Sequence, residues 1–155
     1  MANLGDMFPR NFVEAFAQNR ELTTGDVLYL HCPFTTPPKE KFLLVACCNP
    51  LLVLVINSEI NQFIEAREEL LNCQVEIPVH DHDFLEWDSF VNCIEAHAAF
   101  NIDAIKEKVI SEYPRTVRGR IADYCMRAVF TAVQASPTMK RGQKRQILEA
   151  LDEYQ

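Results

Sequence analysis

The stretch "KFLLVACCNPLLVLVINS", Lys41 to Ser58, decides how the rest of the chain is read. Two apolar runs flank Asn49-Pro50. Proline lacks a ladder donor and Asn-Pro favours a turn, so the pair marks a short connection. Leu51 to Ile56 is rich in β-branched residues, which suit a pleated, packed surface. The first run, "FLLVACC", is nearly continuous in apolar character, which implies a strand buried on both faces. Together the two runs predict an antiparallel hairpin. Cys47 and Cys48 are adjacent, and in a strand they point to opposite faces.

Outward from the hairpin, "DVLYLHC", Asp26 to Cys32, alternates as a strand, with Val27, Tyr29 and His31 opposite Leu28, Leu30 and Cys32. Thr23-Thr24-Gly25 introduces it. "PFTTPPKEK", ending at Lys41, reads as a loop because of Pro37-Pro38. Before it, residues 6–21 predict a short helix, with Pro9 in its first turn and Phe12, Val13 and Phe16 on one face. After the hairpin, residues 59–71 predict a helical insertion capped by Ser58, with Ile60, Phe63, Ile64 and Leu70 or Leu71 on its stripe. "CQVEIPV" and "FVNCIEA" predict a fourth and a fifth strand, and residues 101–111 a turn or helix. From Thr116 the period becomes helical. Ile121, Tyr124, Cys125, Ala128, Val129 and Ala132 form a stripe that Ser136-Pro137 ends. "TMKRGQKRQILEALDEYQ" predicts a last helix.

The order is a helix, five short strands with one insertion, then helices, which is an α+β pattern. Five short strands in so few residues predict a small antiparallel barrel, because closure removes exposed edges. Residues 1–155 read as a single domain, with the barrel over about 23–100 and a helical C-terminal part over about 101–155.

With 48% apolar and 24% charged residues, the 155-residue composition is that of an ordinary globular chain. No apolar run reaches spanning length and no signal-like core follows the start, so a cytoplasmic chain without membrane contact is expected. Six cysteines contain no CxxC pair and read as reduced thiols packed as small hydrophobes. The net charge of −7 is divided unevenly. Residues 1–114 hold seven basic and 18 acidic side chains, and residues 115–155 hold eight basic and four acidic. The whole-molecule field therefore disfavours nucleic acid. A local basic face can still bind phosphate. Arg120, Arg127, Lys140, Arg141, Lys144 and Arg145 are its candidates, with Arg120 and Arg127 seven apart on one helical face. The competing reading is a solvated helical surface.

"HDHD", His80 to Asp83, is the densest polar run. As a strand it would put His80 and His82 on one face, able to share a metal with His31, Cys32 or His97, or to act as acid or base. As a turn it would use its aspartates to hydrogen-bond its own backbone, and this reading is favoured. Trp87 is expected at a core edge, with stacking on a base as the alternative. Asp88 or Ser89 is expected to cap the turn.

Three segments resemble the MazF/PemK family of toxin endoribonucleases: "TTGDVLYLHCPF", the hairpin, and "VEIPVHDHDFLEWDSFVNCIEAHAAF". The resemblance covers about residues 23–110 and implies an SH3-like barrel, a homodimer, a toxin–antitoxin or defence setting, an RNA substrate and an antitoxin partner. It also implies metal-independent RNA cleavage without a cofactor. The family opens its second strand with Arg-Pro, where this chain has Lys41-Phe42. The family's Thr or Ser after the third strand is matched by Ser58. Lys41 and Ser58 are thus the implied catalytic positions, with His80 or His82 as acid or base. Lys41 supplies a charge without arginine's bidentate geometry. The alternative function is a non-catalytic module that keeps the barrel and binds a protein partner.

Overall fold

A computed structural model describes residues 22–155. The helix expected over 6–21 lies outside the described residues. The hairpin expected from Lys41–Ser58 is the centre of the sheet. β2 (Lys39–Cys48) and β3 (Leu51–Asn57) pair antiparallel from Phe42↔Ile56 to Cys48↔Leu51. β1 (Asp26–Cys32) pairs antiparallel with β2 on the other side. β4 (Gln74–Ile77) pairs with β5 (Ser89–Asn92), and β5 joins β3. The sheet has six strands in the order β4-β5-β3-β2-β1-β6 and curls strongly into a half-barrel, with β4 and β6 as its edges.

Alternation divides the central strands between two cores. Leu44, Leu54 and Ile56 face one way; Leu43, Val53 and Val55 face the other. A register shift between Val45 and Cys47 places Ala46 and Cys47 together on the first face, while Cys48 turns to the second. The adjacent cysteines therefore lie on opposite faces, as expected. Each fully buried leucine on these strands contributes about 1.5–3 kcal/mol relative to exposure. All six cysteines are free thiols, and burial pushes those of Cys32, Cys48, Cys73, Cys93 and Cys125 up.

Helices cover both faces. α1 (Gln62–Glu65) and α2 (Glu68–Leu71) replace the single expected insertion helix, because Arg67 is extended and interrupts it. Asn61, not Ser58, is the cap: its Oδ1 accepts the Ile64 N–H at 2.8 Å. Of the expected stripe, Ile64 and Leu70 are buried, while Phe63 and Leu71 are exposed. α3 (Ile102–Ser111) lays Ile105 and Val109 on the second face, and Asn101 caps it. α4 (Tyr113–Thr116) leads into β6. α5 (Asp123–Ala135) and α6 (Arg141–Ala150) cover the first face with Met126, Val129, Val133 and Ile147. The observed α5 stripe runs through Met126 and Phe130, so Tyr124 and Ala128 face outward instead of inward.

Two strand expectations are corrected. β2 begins at Lys39, since Lys39, Glu40 and Lys41 pair with Cys32, His31 and Leu30 rather than forming loop. β6 (Val117–Arg120), read from sequence as the start of a long helix, is a sixth strand on β1. Its four residues, "VRGR", are too short and too polar to show a period. Gly119 within it is held by packing: a Cβ there would lie 2.5 Å from Phe84 Cδ1.

Candidate nucleic-acid groove

Where β2, β1 and β6 lie side by side, half-buried residues at the margin of the first core line an open groove of about 430 Å³. Arg118 on β6 places its guanidinium 4.9 Å from the Tyr29 ring centre. Tyr29 lies 4.9 Å from Phe42, its cross-strand partner, and Phe42 lies 5.6 Å from Phe84. These contacts make a column of one cation and three half-buried rings along the sheet surface. Trp87 on the following loop borders the same groove and is 57% exposed. That corrects the expectation of a core-edge tryptophan. Asp88 Oδ1 accepts the Val79 N–H at 2.9 Å and the Ser89 hydroxyl donates to the Trp87 carbonyl. Both contacts tie the loop to the sheet, which leaves the indole to project.

Lys41 and Ser58 both border this groove. Among the described residues no hydrogen bond joins their side chains. Lys41 alternates with Phe42, so its ammonium leaves on the other face and donates to Asn57 Oδ1. Burial lowers the Lys41 pKa, the Lys39 charge adds to this, and nearby Cys32 opposes it. Ser58 is exposed at the groove lip, one residue past β3.

The histidine run is a turn. Val79–Asp81 form one turn of 3₁₀ helix, which sends His80 out and His82 in. His80 is 76% exposed, with Nε2 3.3 Å from Asp81 Oδ2, an oxygen that also accepts from the Tyr124 hydroxyl. His82 is 1% exposed and both its nitrogens are used. The Ala122 N–H donates to Nε2 at 3.0 Å, so Nδ1 carries the proton and donates to the Pro78 carbonyl at 2.8 Å. The two histidines therefore share no face, which removes the basis for a joint metal site. No cluster of three or more metal-binding side chains occurs among the described residues. His97, another suggested ligand, stacks on Phe34 at 4.1 Å on the far face.

The basic residues of the C-terminal part disperse. Arg120 lies on β6, not on a helix with Arg127. Its Nη1 meets the buried Asp26 Oδ1 at 2.6 Å and Thr23 Oγ1 at 2.7 Å, so it locks β6 to the start of β1. Gly25, at φ 96°, admits this contact, since a Cβ would lie 2.9 Å from Arg120 Nη2. Lys144 donates to the carbonyls of Ser136 at 2.6 Å and Gln134 at 3.1 Å, satisfying the end of α5. Arg141 and Arg145 are exposed beside Glu149 and Asp152, and Arg127 and Lys140 are exposed elsewhere on the same helices.

Arg118 and Lys39 are groove residues that sequence reasoning did not single out. No period in "VRGR" marked Arg118, because a register shift separates Val117, paired with Leu28, from Gly119, paired with Val27. No family model, curated protein or solved structure matches this chain. No described helix is long and apolar enough to cross a membrane.

Proposed function

We propose that the groove between β1, β2, β6 and the 84–87 loop binds single-stranded RNA. The supporting observation is the Arg118–Tyr29–Phe42–Phe84 column beside an exposed Trp87. Bases stack on aromatic faces, and cations track the phosphates, in proteins that bind single strands. The resemblance to MazF/PemK endoribonucleases points to the same ligand, and the curled sheet is read as an opened relative of their SH3-like barrel. Binding is favoured over cleavage within this reading. His82 has no free nitrogen to take a 2′-hydroxyl proton, and the Lys41 ammonium is engaged by Asn57 Oδ1.

A second reading, a module that binds a protein partner, is favoured by Phe63. It is 60% exposed on α1, with the Arg67 guanidinium 3.6 Å from its ring centre. Aromatic residues, phenylalanine included, and arginine are enriched at protein interfaces.

Trp87 is the single tryptophan, so its fluorescence reports on the groove alone. Titration with mixed-sequence single-stranded RNA is expected to quench it saturably. Trp87→Ala is expected to weaken binding about tenfold, near the lower part of the measured range for one stacked base. Absence of both quenching and retained RNA on a filter would exclude the proposal. Incubation of the same RNA with and without a chelator tests cleavage in parallel, and intact RNA in both supports a binding module.

A further inference from the structure

The groove does not end at Arg118. A second hollow of about 260 Å³ continues from it along β1 towards α3 and α4, and Tyr29, Glu40 and Arg118 belong to both. The two differ in character. The first is floored by rings. The second is lined by Lys108, Arg115 and Arg118, opposed by Glu40 and Glu112, with His31 on its β1 side. Arg118 Nε donates to the Arg115 carbonyl at 3.0 Å, which holds its guanidinium at the junction. Among the described residues, none of these three cations is within ion-pair distance of a carboxylate.

Resting on the RNA reading of the first hollow, we infer that the two hollows form one track for a strand longer than a dinucleotide. Its bases stack on the Trp87 side, and its phosphodiesters run past Arg118 to Arg115 and Lys108. The chemistry of each part requires this division. The ring-rich part suits bases, whereas the part lined by three exposed cations suits phosphates. Glu40 and Glu112 reduce the local charge, so the phosphate contacts should be few and affinity moderate.

Labelled dinucleotide and octanucleotide RNAs would be titrated into the full chain by fluorescence anisotropy over a salt series. The octanucleotide is expected to bind at least about tenfold more tightly. Lys108→Ala/Arg115→Ala is expected to remove most of that advantage and to lower the slope of log affinity against log salt by about 0.7 per lost contact. Dinucleotide binding is expected to stay within about twofold. Both residues are exposed, so the variant should keep its melting temperature. Equal affinity for the two lengths, or an unchanged octanucleotide affinity and salt slope in the variant, would overturn the continuous track while leaving the first hollow as a site. Loss of binding for both lengths in the unaltered chain would overturn the RNA reading itself.

Discussion

The groove beside β6 and the surface of α5 and α6 carry similar cations but differ in what those cations touch. At the groove, Arg118 lies over Tyr29, which leads on to Phe42 and Phe84, with no carboxylate within ion-pair distance of Arg118 among the described residues. On α5 and α6, Lys144 is spent on helix-end carbonyls, and Arg141 and Arg145 share their surface with Glu149 and Asp152. The C-terminal helices have the denser basic run in sequence, and the groove has the better-placed cation. Charge density along a chain does not measure the field at a site, because neighbouring acids and committed hydrogen bonds cancel much of it.

Arg120 and Arg118, two positions apart on one strand, give the strongest test of that contrast. Arg120→Ala leaves Asp26 buried without its guanidinium, so we expect a loss of about 2–3 kcal/mol. That is below the roughly 3–5 kcal/mol of a fully buried pair, because Arg120 is half exposed. Urea denaturation checks it, and a loss under about 0.5 kcal/mol would remove Arg120 from its anchoring role. Arg118→Ala is expected to reverse the pattern: stability within about 1 kcal/mol, RNA affinity down about tenfold. If it destabilised as much as Arg120→Ala, the groove cation would be structural and the comparison would fail. The smallest effect is expected on the helices. Arg141→Ala/Arg145→Ala should change RNA affinity by less than about twofold and leave the salt slope alone. A larger loss than that of Arg118→Ala would move the binding surface to α5 and α6.

The same contrast explains what could be read early. The β2–β3 hairpin was legible because two long apolar runs around Asn49-Pro50 leave few alternatives to an antiparallel pair. β6 was not. "VRGR" has two arginines and one glycine in four residues, and it becomes a strand only because the free edge of β1 supplies its hydrogen-bond partners. The α5 stripe was read about one residue out of phase, since Met126 and Phe130 fill the core while the Tyr124 hydroxyl finds Asp81. Of the candidate site, Lys41 and Ser58 were rightly placed at one end of the hairpin. Alternation then sends the Lys41 ammonium to Asn57, on the face away from the groove rings.

Local propensity and pattern in the sequence by itself determined the class of fold, the central hairpin, the turn at His80–Asp83 and the two C-terminal helices. These depend on residues close together in the chain, where apolar period and proline placement act directly. Only the tertiary structure decided which histidine is buried, which arginine anchors a strand and which lines the groove, and that Trp87 projects at that same groove. Those outcomes turn on contacts between residues far apart in the chain, such as Asp26 with Arg120 and Tyr29 with Arg118. Long-range packing selects among side chains that the local pattern leaves equivalent.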